Sequence, residues 1–441
     1  MFAAYINDTF QIKGVRNHFY LSITLLAVLG WHAGAQAQVG TRQAPKLVVS
    51  ITIDQLRSDY LETFATNYSE EGFLRLLAEG TVFENASYPF ADPDRASAIA
   101  TIVTGSTPFY HSITGLQWLD RSSLQPIRCT DGELAVTTIG DELKIATDGA
   151  AKIYAFAPTK EAAFLSSGHV SDGSEYITPS KKSKTPINHD ITTKALACVN
   201  DKRLGADDTP DLLCLSYDAG TSADSYIQLD QAIGTLISTL EKQIGKEQLL
   251  VMLTSTGSYS AETIDYARYH IPTGNLEMKR TANLLNMYLG ALWGQGQYIE
   301  ASYKNQLFFN HQLLETKHIG MTDIIQRAQE FLCQLAGVKR VYSGLQLINN
   351  NADQKVRNSY HPQRCGDLLI EVAPGWHIQN EDTGYDKLSQ LSAPSFPIIF
   401  YGASVKATRV QRPVTTDRIA PTISKAIRIR APNACTSEPL F

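Results

Sequence analysis

No part of the chain carries a long basic run, and its 39 Lys+Arg are slightly outnumbered by 44 Asp+Glu, for a formal net charge of −5. Binding along a phosphate backbone needs clustered cationic side chains, so nucleic acid is not an expected partner. The lysine-rich stretch Ser180 to Lys184 is short and polar, and reads as a solvated surface turn. Long apolar runs are missing too. Past the N-terminal region no segment approaches the ~20 uninterrupted apolar residues of a membrane-spanning helix, so no transmembrane anchor is expected. The cysteines Cys129, Cys198, Cys214, Cys333, Cys365 and Cys435 match no zinc-ligand spacing. Cys214 and Cys333 lie in apolar patterns and are expected to be plain buried thiols. Internal repeats and low-complexity segments are absent as well.

What is present begins with an export pattern. Lys13 and Arg16 precede an apolar run from Tyr20 to Leu29, and Ala35-Gln36-Ala37 is a small-x-small cleavage site. Residues 1–37 therefore read as a signal peptide and 38–441 as the mature protein. The expected destination is the periplasm or cell surface, an oxidising setting that permits disulfides. With no cysteine near the cut, a lipoprotein is not expected.

Short apolar runs bounded by turn residues read as strands buried on both faces: Leu47 to Ile53, Ile153 to Phe156, Leu212 to Ser216, Leu249 to Thr254, Asp367 to Val372 and Pro397 to Tyr401. Helical patterns alternate with them. One carries Phe73, Leu74, Leu76 and Leu77 and ends on Gly80 as a C-cap. Another, with Thr322 as the expected cap, carries Ile324, Ile325, Ala328, Phe331, Leu332 and Leu335 on one stripe. This alternation predicts an α/β fold with a mostly parallel central sheet and helices on both faces. A smaller inserted subdomain is expected around residues 269–350, where the alternation breaks. Chemistry in such folds sits beyond the carboxyl ends of the strands.

Three segments carry a family resemblance: Lys46 through Asp54 to Tyr60, Gly72 to Gly80, and Thr104-Gly-Ser-Thr-Pro-Phe-Tyr-His111. They resemble the opening of the alkaline phosphatase superfamily, near the envelope phosphatases with a threonine nucleophile and the type I phosphodiesterase/nucleotide pyrophosphatase group. Similar segments continue through Leu204–Leu213, Gly290–Asn310, Tyr360–Asp367 and Pro397–Gly402, so the resemblance spans nearly the whole mature chain. It implies two zinc ions about 4 Å apart, held by aspartates and histidines, that activate a nucleophile and stabilise the transferring phosphoryl group.

Position by position, the resemblance leads to other residues. Asp54, at the end of the first strand, matches a metal-ligand aspartate and is the only clear survivor. Arg95 stands where the nucleophile should open its helix, and a guanidinium cannot attack phosphorus; Ser97 and Thr101 are hydroxyls nearby. Leu116 replaces a phosphate-contacting amide, and Thr159 and Glu161 replace a lysine–arginine clamp. The Asp-His-Gly that supplies two ligands is replaced by Thr256-Gly257-Ser258, and Ser395 takes the place of the last histidine ligand. The loop after the third strand, with Asp218 and Asp224, is shortened and has no histidine. The expectation is therefore no resident cofactor and no metal, with zinc only if the site has been rebuilt.

A carboxylate left at a strand end without metal is costly, so Asp54 is expected to pair with Arg95. As an alternative, Arg95 at a helix N-terminus could hold an anion. His111 and His169 read as structural, His189-Asp190 as a hydrogen-bonded pair in a loop, and His361 and His377 have no partner visible in the sequence. The expected function is a pseudo-phosphatase that binds or scaffolds an envelope protein or a glycan. The alternatives are a metal-dependent phosphate monoester or diester hydrolase with a rebuilt site, drawing on Asp218, Asp224 or Ser97, and a metal-free anion receptor centred on Arg95.

Overall fold

The computed structural model describes residues 44–178, 186–259, 265–349 and 352–441. The export pattern and the lysine-rich turn at 180–184 lie outside them.

Among the described residues, five of the six apolar runs form the centre of a nine-stranded sheet. In chain order the elements that matter for the site are β1 (Leu47–Asp54), β2 (Thr81–Ser87), α1 (Arg95–Thr104), β3 (Ile153–Ala157), α2 (Lys160–Ser167), β4 (Gly173–Tyr176), α3 (Ile187–Lys202), β5 (Asp211–Asp218), α4 (Ala223–Ile244), β6 (Leu249–Ser255), β7 (Phe396–Gly402), β8 (Thr408–Val410) and β9 (Val414–Thr415). The strand order is β8-β2-β7-β6-β1-β5-β3-β4, with β9 also paired to β2. β1 lies between parallel neighbours β5 and β6. β7 runs antiparallel to both β6 and β2. The sheet is therefore mostly parallel and covered by helices, the α/β architecture expected from the alternation of strands and helices.

All eight residues of β1 are buried, the condition that yields a continuous apolar run instead of an alternation. Leu47, Val49, Ile51 and Ile53 pack on one face with Tyr226, Leu229, Ile233 and Leu236 of α4. On the other face Val48 joins Cys214, Leu250, Met252 and the helical residues Ala98, Ile102 and Ile423. The same face carries Thr52, whose hydroxyl meets that of Ser216 on β5 at 2.8 Å, so the polar group is satisfied inside the sheet.

A second core gathers Leu276, Leu285, Leu307, Ile324, Leu332, Ile370 and Ile378 under a separate four-stranded sheet. Leu368–Val372 belongs there and not to the central sheet. Its residues are alternately fully and partly buried, so the expectation of a strand buried on both faces is corrected. One helix cap differs from expectation: the helix over Met321–Leu332 is preceded by Gly320, with Thr322 inside its first turn. Gly80 is the C-cap of the helix Phe73–Glu79, as expected, in extended conformation (φ −91°). Glycine is needed there because a Cβ would lie 2.5 Å from the Leu76 carbonyl oxygen and 2.7 Å from that of Phe400.

All six cysteines are free thiols. Cys214 is buried, but Cys333 is exposed, because it falls at the C-cap of its helix just past the buried stripe that ends at Leu332.

Candidate functional site

The pairing register brings the chemistry to one edge. Asp54 at the end of β1 stands opposite Asp218 at the end of β5, and Ile53 stands opposite Ser255 at the end of β6. The next residue, Thr256, donates its backbone N–H to the Ile53 carbonyl at 3.1 Å. The carboxyl ends of three adjacent parallel strands thus carry Asp54, Asp218 and Thr256.

α1 points its N-terminus at this edge. Asp94 is its N-cap and forms a reciprocal capping box with Ser97, while Gly105 closes it in the left-handed region (φ 65°). Arg95 is the first helical residue, so its side chain leaves the helix where the strand ends converge. Its Nε donates to Asp54 Oδ2, and its Nη1 donates to Glu161 Oε1 at 2.9 Å and reaches Thr159 Oγ1 at 3.5 Å. The other Asp54 oxygen accepts from the Thr256 hydroxyl at 2.5 Å.

The burial is deep on one side of the pair and partial on the other. The Asp54 side chain is 6% exposed, against 26% for Arg95 and 21% for Glu161. Burial pushes the Asp54 carboxyl above its ordinary value, while the Arg95 charge and the Thr256 and Arg95 hydrogen bonds pull it back, and Asp218 raises it further. Burial works to lower the Arg95 pKa, but Asp54 and Glu161 more than offset this, so the guanidinium is held charged. The expected Asp54–Arg95 pair is present, and Glu161 joins it as a second carboxylate.

The remaining positions hold structural roles. Thr159 caps α2, its side chain accepting from the Ala162 amide. Leu116 is exposed, and its amide donates to Asp94 Oδ2 at 2.7 Å. Ser395 is exposed and contributes its carbonyl to the Ser58 amide at 2.9 Å. Ser97 lies in the first turn of α1, where its hydroxyl donates to Asp94. Thr101 is buried on His111 Nε2 at 3.0 Å. Asp224 is exposed in the first turn of α4, and Asp218 accepts from the Gly220 amide at 2.8 Å.

The histidines separate in the same way. His169 sets Nδ1 against Asp141 at 2.7 Å and Nε2 against the Leu134 carbonyl at 3.0 Å. Burial opposes protonation of His169, but those two acceptors raise its pKa. His377 faces Asp386 at 2.7 Å, and the His361 amide meets Cys365 Sγ at 3.3 Å. His189 and Asp190 begin the helix α3 and are not in a loop.

Gly257 decides the space at this edge. Its φ is +68°, and a Cβ there would lie 2.8 Å from Tyr88 Cε2 and 3.2 Å from Pro93 Cγ. The Tyr88 ring is fixed by its hydroxyl, which donates to the Ser255 carbonyl at 2.8 Å. A histidine cannot be built at 257 without moving that ring.

The donors at this edge do not fit a pair of zinc ions. Zinc needs about four deprotonated O, N or S ligands per ion. Both Asp54 oxygens are engaged, a guanidinium lies against them, and the position to which the resemblance assigns an imidazole is a glycine packed on Tyr88. Among the described residues no three His, Cys, Asp or Glu side chains converge.

The sequence model of the type I phosphodiesterase/nucleotide pyrophosphatase family matches residues 48–392. The chain belongs to that family. Alkaline phosphatase PafA of Elizabethkingia meningoseptica is 22% identical over 90% of this chain and 94% of its own length. Alkaline phosphatase PhoV of Synechococcus elongatus is 23% identical over 88% and 91%. The crystal structure of wild-type PafA superposes with a TM-score of 0.77 at 21% identity, covering 90% of this chain and 98% of that one. Murine ectonucleotide pyrophosphatase/phosphodiesterase 5 gives a TM-score of 0.59 at 12% identity, covering 87% and 95%. The family is one of phosphoester hydrolases, and its fold is intact here.

Proposed function

We propose that this chain is a non-catalytic member of its family, exported to the cell envelope, where the retained fold binds or scaffolds another envelope protein or a glycan. The observation that carries this reading is the state of Asp54: one oxygen is held by Arg95 and the other by Thr256. By the resemblance Arg95 stands in the nucleophile's place, and a guanidinium there cannot attack phosphorus. Losing an activated nucleophile together with its electrostatic partners removes several orders of magnitude in rate. Export is supported by the N-terminal pattern of Lys13, Arg16, Tyr20–Leu29 and Ala35–Ala37. Among the described residues no helix is long and apolar enough to cross a membrane.

The anion-receptor reading is disfavoured, because the Arg95 guanidinium already faces two carboxylates and an incoming phosphate would meet net negative charge. The rebuilt hydrolase is the competing outcome of the test. Purified protein is assayed for zinc by mass spectrometry and for turnover of nitrophenyl phosphate and bis-nitrophenyl phosphate, with and without added zinc. The expected result is substoichiometric zinc and turnover at background; stoichiometric zinc with saturable turnover overturns the proposal.

A further inference from the structure

In relatives of this fold the strand-end carboxylates face a pair of dications, as the resemblance implies. Here the same edge presents Asp54 and Glu161 from β1 and α2, with Asp218 close enough to raise the Asp54 pKa. Neither Asp54 nor Glu161 is fully solvated: their side chains are 6% and 21% exposed. Two such carboxylates drawn together without a countercharge repel and lose hydration. Among the described residues the cation between them is Arg95, and it bridges both: Nε on Asp54, Nη1 on Glu161.

We infer that Arg95 is the resident cation of this cleft, carrying within the chain the charge that bound metal carries elsewhere in the fold, so that the stability of the site is independent of divalent ions. Two features make the substitution specific to a guanidinium. Its donors are spread over several nitrogens in one plane, so it can meet carboxylates on two different elements at once, which a lysine ammonium on a single point cannot do equally well. It also leaves from the first helical position of α1, with the reciprocal capping box of Asp94 and Ser97 fixing the helix start. The other part of the ancestral metal position is closed by volume instead of charge, since Gly257 packs on the Tyr88 ring.

The inference rests on the non-catalytic reading only in that no metal is needed at this edge, and it has its own test. Removing the guanidinium should leave a cation-shaped vacancy lined by Asp54, Glu161 and the Thr159 hydroxyl. Arg95→Ala is therefore expected to lower the melting temperature by roughly 5 °C, and millimolar methylguanidinium is expected to restore most of that loss. Methylurea, which matches its shape without its charge, should restore nothing, and neither additive should move the wild-type melting temperature at the same concentration. EDTA or added zinc should leave the wild type unchanged.

Should Arg95→Ala not fold, Arg95→Gln and Arg95→Lys give the same comparison. The neutral variant is expected to be the less stable of the two and to be the one that responds to methylguanidinium. Equal rescue by methylurea, no loss in either neutral variant, or a fall in wild-type melting temperature with EDTA each overturns the inference. Turnover of an aryl phosphate would overturn the proposed function instead, so the two failures are distinguishable.

Discussion

Gly257→Ala is the sharpest single test of whether the strand-end site is closed by packing. A Cβ on this residue would lie 2.8 Å from Tyr88 Cε2, 3.0 Å from Cδ2 and 3.2 Å from Pro93 Cγ. Two costs follow. An L-residue held in the left-handed region loses about 1–2 kcal/mol, and forcing a methyl group into a filled space costs about 1–3 kcal/mol. The ring cannot swing away freely, because its hydroxyl is bonded to the Ser255 carbonyl at 2.8 Å and the ring packs against Phe90 and Phe396. The expected loss is therefore about 2–5 kcal/mol, read from urea denaturation followed by tryptophan fluorescence. In a Tyr88→Ala background the clash with the ring is gone but the backbone strain remains, so the same substitution should cost only about 1–2 kcal/mol, giving a coupling of about 1–3 kcal/mol between the two positions. Gly257→His should behave like Gly257→Ala, and zinc should not recover its stability. An alanine variant within about 0.5 kcal/mol of wild type, or a cost that is the same in both backgrounds, would refute the packing argument.

His111 is fully buried, with Nδ1 accepting from the Ile113 amide and Nε2 facing Thr101, and burial, with smaller effects from His361 and Arg364, depresses its pKa to about 3. Its neutral form is the one that folds, so its contribution is complete above the unfolded value of about 6.5 and is lost as pH falls from there toward 3, by up to about 1.4 kcal/mol per pH unit; His111→Gln should flatten the acid limb of stability measured between pH 4 and 7, and an unchanged limb would count against it. Asp230 is fully buried and accepts from the Ser69 amide at 2.8 Å, the Ser69 hydroxyl at 2.6 Å and the Phe73 amide at 2.7 Å. Asp230→Ala strands these donors at the start of the helix Phe73–Glu79 and should cost about 3 kcal/mol or more by denaturation, with Asp230→Asn losing less; equal stability of the alanine variant would show that the contacts carry little energy.

The central sheet was legible because its strands are buried on both faces, which leaves continuous apolar runs such as Leu47–Ile53 in the sequence. Where a strand has one covered face the same rule misleads. Leu368–Val372 reads as a similar run, yet Glu371 within it faces outward and bonds Lys339 and Tyr342, and that charged residue was the signal that the strand lies in the second sheet. Cys333 is exposed for a related reason: the apolar stripe runs on in the sequence to Leu335, but its buried part and the helix both end at Leu332.

The Asp54–Arg95 pair was legible because it follows from charge balance: a retained carboxylate at a strand end requires a cation, and Arg95 was the nearest one on the expected helix. The resemblance puts Glu161 in the same site as Arg95, in place of a cationic clamp that would hold phosphate, but the spacing of 95 and 161 does not say that the two side chains meet; a carboxylate there reads first as a charge that repels phosphate. Once both are placed, the repulsion and the pairing have one origin: the charge that would reject a phosphate dianion is the charge that holds Arg95 in the cleft. The closure at Gly257 left even less trace, because Tyr88 and Gly257 meet only through the order of the strands. The two features of this edge are thus recorded differently, the charge pair in residue types and the Gly257 contact in packing, and only the first can be read without the fold.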